Sequence, residues 1–353
     1  MITIEASNIN VGGSLNLLID FVGYVNDLKI PARVYVAYDE VFLQLSNKNL
    51  ESVDIVKTDL FHTLLRYMET GRKNVLYFCS LPPFVRNMNS YVYFHTEYYA
   101  NPLLKGYSLL SISEKIKKIV YYFILKFFHN NCNLFFCQTK GIKEKLCKTY
   151  GIHAEVMPFF NKINVANNGM ESRKEFDFIF PALCSKHKNH MKLLEAIKLA
   201  RKKCRFNVVL TISESAKEIL NVIDGINQDY PLTIINIGVV PHSIIYDYYR
   251  RTKFLIFPST MESLGLPLLE AVAHNEKVLV SDRDYAYSAI ENPITFDPDR
   301  VESISLCICK AMNGDYDNII QKIILKDSKQ SIISCLTNYN DKDYTRHNSS
   351  NVT

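Results

Sequence analysis

Residues 254–281, FLIFPSTMESLGLPLLEAVAHNEKVLVS, constrain the fold of this chain more than any other stretch. Phe254 to Phe257 is a short continuous apolar run, the pattern of a strand buried on both faces. A turn follows at Pro258-Ser259. Pro267 suits the first position of a helix, where a missing N–H costs nothing, and the helix is expected to run to about His274. Lys277 to Ser281 reads as a second strand, which closes a β-α-β unit. Glu262 falls in the loop before the helix and Glu270 in its first turn. Between them, the backbone N–H groups of Ser263, Leu264, Gly265 and Leu266 and the positive helix end make an anion cradle. Such a site suits a diphosphate with a carboxylate at each side to grip sugar hydroxyls. The plainer alternative is an ordinary β-α-β unit with two solvated glutamates.

At 353 residues the chain exceeds the usual size of a single core and implies two domains. Nine cysteines are scattered without C-x-x-C pairs or His/Cys ligand spacing, as expected for reduced thiols in a cytoplasmic protein. MITIEASNIN opens as a strand without a basic leader pattern, and no apolar run reaches the ~18 residues of a membrane span. The formal charge of +5 is unevenly spread: residues 105–148 hold nine Lys against two Glu. That clustering predicts an anionic partner on one face, a membrane surface or a lipid-diphosphate acceptor, and not a nucleic acid. A solvated helical surface is the bland reading.

Apolar runs alternate with helical patterns along the chain, which argues for parallel sheets. The first strand, residues 2–6, is followed by NINVGGS and an apolar helix. Gly12 and Gly13 in that turn let backbone approach a ligand closely. Tyr91 to Phe94 is a strand that ends at His95, and ligands of open α/β sheets bind beyond such strand ends. Ser111 and Glu114 form a capping box for a helix through about Phe128. On it Lys115, Lys118, Tyr122, Lys126 and His129 share one stripe, and Lys115, Lys118 and Lys126 are the expected membrane or acceptor patch. The polar stretch 161–175 reads as the interdomain linker. A second domain then begins with a strand at Phe176 and a loop, ALCSKHKNH, that leads into a helix. Gly238 to His242 is a further loop before a helix.

The arrangement FPS..ES.GLPLLEA...KVLVSD resembles retaining glycosyltransferases of family 4, which have the GT-B fold, and in particular those that build bacterial surface polysaccharides such as O-antigen and capsule. The PP...YVYFHTEYY pattern around His95 and the Gly-rich turn resemble further elements of that family. The resemblance covers about residues 1–315 and implies an α/β fold of two Rossmann-like domains facing across a cleft, with a C-terminal helix crossing back to the first. On that basis residues 1–160 form the acceptor domain and 176–315 the nucleotide-sugar domain. Residues 316–340 form a helical segment and 341–353 a disordered tail.

For the site, the resemblance places Glu262 and His95 at the transferred sugar as catalytic residues. Glu270 falls on the ribose, and Lys188, residues 263–266, Gly12 and Gly13 on the diphosphate. The family often has an Arg five residues before that Lys, where this chain has Leu183. A nucleotide-diphosphate sugar is implied as donor and a glycan or lipid-linked oligosaccharide as acceptor, with no cofactor or metal required. The expected location is cytoplasmic, peripheral on the inner face of the membrane. Two other readings remain: a catalytically silent GT-B scaffold subunit, and a sugar-nucleotide epimerase or inverting transferase on the same fold.

Overall fold

The computed structural model describes residues 1–10, 13–78, 80–101, 112–160 and 173–337. It contains two compact units: Met1–Asn161 with Lys326–Thr353, and Lys162–Leu325. Gly12, Ser111, the linker up to residue 172 and the tail from 338 lie outside the described residues.

The first unit runs β1 (Ile2–Glu5), α1 (Gly13–Asp27), β2 (Ala32–Val36), α2 (Asp39–Ser46), β3 (Val53–Lys57), α3 (Leu60–Met68), β4 (Val75–Tyr77), β5 (Asn87–Phe94), α4 (Glu97–Ala100), α5 (Ile112–Phe128), β6 (Cys132–Cys137), α6 (Lys140–Tyr150) and β7 (Ala154–Val156). The seven strands pair in parallel in the order β3-β2-β1-β4-β5-β6-β7. Successive residues of a strand point to opposite faces, and the core divides accordingly. Leu76, Tyr91 and Tyr93 join α1 and α2 in one cluster, whereas Val75, Tyr77, Val92 and Phe94 join Tyr67 of α3, Leu125 of α5 and Leu146 of α6 in another.

The second unit runs β8 (Phe176–Phe180), α7 (His190–Arg201), β9 (Val208–Leu210), α8 (Lys217–Asp229), β10 (Ile234–Asn236), α9 (His242–Arg251), β11 (Thr252–Phe257), α10 (Leu266–Ala273), β12 (Lys277–Ser281), α11 (Asp284–Ala289), β13 (Ile290–Glu291), β14 (Ile294–Phe296), α12 (Val301–Met312) and β15 (Lys322–Ile323). Its six main strands are parallel, in the order β10-β9-β8-β11-β12-β14. Two doubly wound parallel sheets are the expected fold class. The segment after residue 315 is not helical throughout: β15 pairs antiparallel with β13. The last helix among the described residues, α13 (Lys329–Thr337), packs Ile332, Ile333 and Leu336 into the core of the first unit. Lys329 pins it there. Only 5% exposed, its ammonium bonds Asp20 at 2.7 Å and the Phe160 carbonyl at 2.8 Å.

Helix α5 departs from the sequence reading. Lys118, expected on an outward basic stripe, is buried, with its ammonium 4.7 Å from the centre of the Tyr98 ring. Lys118, Tyr121 and Leu125 form the inward face at helical spacing. The outward stripe is instead apolar: Ile112, Ile116, Val120, Phe123 and Phe127 are all exposed, and the Phe123 and Phe127 rings stack. Nearly every side of this helix carries apolar residues, so periodicity alone did not say which stripe faces the sheet. Helix α3 also turns apolar residues outward, with Leu60, Phe61 and Met68 more than half exposed.

Candidate active site

In doubly wound sheets ligands bind beyond the carboxyl ends of the strands, where the strand order reverses. In the second unit that point lies between β8 and β11, because β9 and β10 extend from one side of β8 and β12 from the far side of β11. Lys188 follows β8 and Glu262 follows β11. The structure brings them together: the Lys188 ammonium lies 2.5 Å from Glu262 Oε1, with side chains 18% and 15% exposed. Such partial shielding strengthens the pair relative to one in open water. The Phe257 ring lies 5.0 Å from the Lys188 ammonium. The two loops are tied by backbone, since the Thr260 N–H donates to the His187 carbonyl at 2.8 Å and the Thr260 hydroxyl does so at 3.2 Å. An ammonium has three N–H donors, and the bond to Glu262 uses one.

Helix α10 begins at Leu266, one residue before the expected start, with Pro267 in its first turn and Gly265 as N-cap. Gly265 has φ +72°, the left-handed region that glycine enters at no cost. A Cβ there would also meet Leu268 and Tyr285 side-chain carbons at 3.3 Å. Leu264 is buried and anchors the loop, while the Tyr285 hydroxyl donates to the Ser259 carbonyl at 2.8 Å. This geometry brings residues 263–266 to the amino end of the helix.

Glu270 lies on the buried side of α10, 7% exposed. Its carboxylate is held from α9, which sequence reasoning did not foresee. Tyr249 donates its hydroxyl to Oε2 at 3.1 Å, and His242 Nε2 lies 3.0 Å from Oε1. The hydrogen bond to Glu270 raises the His242 pKa above its ordinary value, against the opposing effect of burial. Burial also raises the Tyr249 phenol well above its usual range, so it is a neutral donor at neutral pH. His242, Tyr246 and Tyr249 share one face of α9 at helical spacing, but nothing in the sequence ties that face to α10.

His95 and Gly13 belong to the first unit. The His95 ring stacks on Phe78 at 5.5 Å and its backbone N–H donates to the Ser80 hydroxyl at 3.3 Å. Its buried Nδ1 has no hydrogen-bond partner among the described residues. Burial lowers its pKa to about 4, so the ring is neutral at physiological pH. Gly13 is the first residue of α1, the helix that follows β1, the strand at which the first sheet reverses its order. Leu183 is exposed beside the Lys186–Lys188 turn. Asp-x-Asp sequences follow β12, β14 and α12; Asp282 accepts from Tyr287 and Asp299 pairs with Arg283. Among the described residues, no group of three or more His, Cys, Asp or Glu is placed to hold a metal ion.

Residues 164–322 match the family model described as Glycosyl transferases group 1. The match spans most of the second unit and makes this region similar to a group 1 glycosyltransferase domain. Over 178 residues the chain is 23% identical to the O-antigen chain mannosyltransferase RfbU of Salmonella typhimurium, an alignment covering 50% of each chain. It is 27% identical over 131 residues to the capsular polysaccharide biosynthesis glycosyltransferase CapH of Staphylococcus aureus, covering 35% of each. The alignments thus span about half or less of these curated relatives. Among solved structures, Anabaena HepE in complex with UDP and glucose is similar with a TM-score of 0.64 and 13% identity, over 94% of each chain. At that identity the likeness shows the fold, GT-B, with its two Rossmann-like domains.

Proposed function

We propose that this chain transfers a sugar from a nucleoside-diphosphate sugar to a glycan or lipid-linked acceptor, with retention of configuration, in the assembly of a bacterial surface polysaccharide. The observation that carries the reading is the Lys188–Glu262 pair at the switch point of a domain with group 1 glycosyltransferase sequence, followed by a helix that carries the buried Glu270. The names of RfbU and CapH support the polysaccharide context, and the HepE complex supports a nucleoside diphosphate as the carrier. Retention rests on the E-x7-E resemblance.

In the proposed mechanism, negative charge grows on the diphosphate as the glycosidic bond breaks. The backbone N–H groups of residues 263–266 and the remaining donors of Lys188 stabilise that charge more in the transition state than in the ground state. Glu262, already beside Lys188, faces the positive charge that develops on the sugar. Glu270 accepts from the ribose hydroxyls. His95, a neutral ring at physiological pH, is assigned to the transferred sugar on the strength of the resemblance. No metal is assigned a role, because Lys188 and the helix end supply the positive charge. Isothermal titration with UDP, GDP and dTDP on the wild type, Glu262→Gln and Glu270→Gln tests the reading. A silent scaffold would bind none of them, and an epimerase would bind the sugar nucleotide but release no transfer product.

Helix α5 supports a location at the inner membrane surface. Its outward apolar stripe is flanked by the exposed Lys117 and Lys126, the pattern of a helix lying in an anionic interface. α3, which buries Tyr67 in the same core as Leu125 of α5, adds Leu60, Phe61 and Met68. No helix among the described residues is long and apolar enough to cross a membrane.

A further inference from the structure

Glu270 presents a problem that the donor-site reading leaves open. A carboxylate this deeply buried is costly unless its oxygens are bonded, and one that must receive a ribose must also point one way. Oε2 is fixed by Tyr249, itself fully buried, while Oε1 is met by His242, whose side chain is half exposed. The His242 ring packs edge-on against Tyr246, with centroids 4.7 Å apart. Tyr246 in turn stacks on His274 at 5.3 Å. His274 Nδ1 lies 2.8 Å from the backbone carbonyl of Glu270, one turn earlier on α10. The titratable groups around His242 are therefore Tyr246 and Tyr249 on its own helix, and Glu270 and His274 on α10. Burial pushes the Tyr246 phenol up to about 12 and the Tyr249 phenol higher still, so neither ionises near neutral pH.

We propose that His242 is the positioning residue of Glu270: with Tyr249 it clamps the carboxylate in one orientation, and its protonation makes nucleotide affinity depend on pH. The inference rests on the reading of Glu270 as a ribose ligand. A permanent cation would be a poor choice at this position. His242 is the first residue of α9, and the positive end of a helix disfavours a cation. The imidazolium is retained there by Glu270, and it can be shed near neutral pH where a lysine or arginine could not.

The sign follows from the pair. Glu270 raises the His242 pKa, so the charged clamp is complete below the ordinary His value and is lost as pH rises through the raised one. Above it, a neutral imidazole donates a weaker bond, or none in its other tautomer. The carboxylate is then held by Tyr249 alone, and a positive charge near an anionic donor disappears. Both changes weaken nucleotide binding as pH rises, by about tenfold for the loss of one charge-assisted bond.

The test is titration calorimetry of UDP, GDP and dTDP between pH 5.5 and 8.5. It compares the wild type, His242→Gln, Glu270→Gln and the double variant. The ratio of wild-type to His242→Gln affinity cancels the nucleotide's own phosphate titration. That ratio is expected near ten at low pH and near one at high pH, with His242→Gln having no effect in the Glu270→Gln background. A flat ratio, or an undiminished effect of His242→Gln in that background, overturns the proposal while leaving Glu270 as a ligand. If Glu270→Gln binds all three nucleotides like the wild type, the donor-site reading falls and this one with it. An NMR titration of the His242 ring provides a check without nucleotide. Its pKa should drop in Glu270→Gln, where burial and the helix amino end act unopposed, and an unchanged titration contradicts the clamp.

Discussion

The two units present their polar groups differently. In the second, each carboxylate of the site has a protein partner in place: Lys188 for Glu262, His242 and Tyr249 for Glu270. In the first, the corresponding candidate, His95, has a buried Nδ1 without a hydrogen-bond partner among the described residues, and two helices turn apolar residues outward. A preorganised site is what transition-state stabilisation requires, because groups already oriented need no reorganisation as charge develops. The outward apolar residues of α3 and α5 offer no such preset polar partners. The difference implies that substitutions in the second unit act on turnover and nucleotide affinity, and those on the surface of the first act on where the protein resides.

The largest effect is expected for Glu270→Ala. Removing a charged hydrogen-bond partner costs about 1.5–3 kcal/mol, so transfer and nucleotide affinity should each fall by roughly 10²-fold, read by product formation and calorimetry. Gly265→Ala comes next. The left-handed backbone costs a non-glycine residue about 1–2 kcal/mol, and the added methyl meets Leu268 and Tyr285. A melting temperature equal to the wild type's would show that the loop relaxes. In the first unit, the double variant Ile116→Glu with Phe123→Glu should lower binding to anionic vesicles by about thirtyfold, on the scale of ~1 kcal/mol for each charge near the surface. Turnover on a soluble acceptor should hardly change. Co-sedimentation decides this, and a wild-type protein that stays in the supernatant at low salt would leave the stripe without a membrane role. The smallest effect is for EDTA, which should leave turnover unchanged; activity restored by Mg²⁺ or Mn²⁺ would sharpen the comparison by giving the second unit a partner it is not assigned here.

The strand-loop-helix-strand expected over 254–281 is present, though β11 starts two residues earlier, at Thr252, and Glu270 lies past the first turn of α10. Parallel strands buried on both faces leave unbroken apolar runs, and proline marks a helix start. β12 spans Lys277–Ser281 as expected, and α10 begins one residue early because Gly265, not Leu266, caps it. His242 was not legible as a partner of Glu270, because the two are 28 residues apart and meet only through the packing of α9 on α10. The orientation of α5 was not legible either. A helix with apolar residues on most sides has no single face that periodicity can choose, and the Tyr98 ring beside the buried Lys118 is a neighbour set by tertiary structure.

The central claim is that the switch point of the second unit holds a nucleoside diphosphate on Lys188 and the amino end of α10. Thermal unfolding in the presence of UDP, GDP, dTDP and CMP tests it most directly, since a ligand at 100 times its Kd stabilises the native state by about 2.7 kcal/mol. The account predicts that at least one nucleoside diphosphate raises the melting temperature of the wild type and that Lys188→Ala removes the rise. No shift with any of the four, or a shift that survives Lys188→Ala intact, would contradict it.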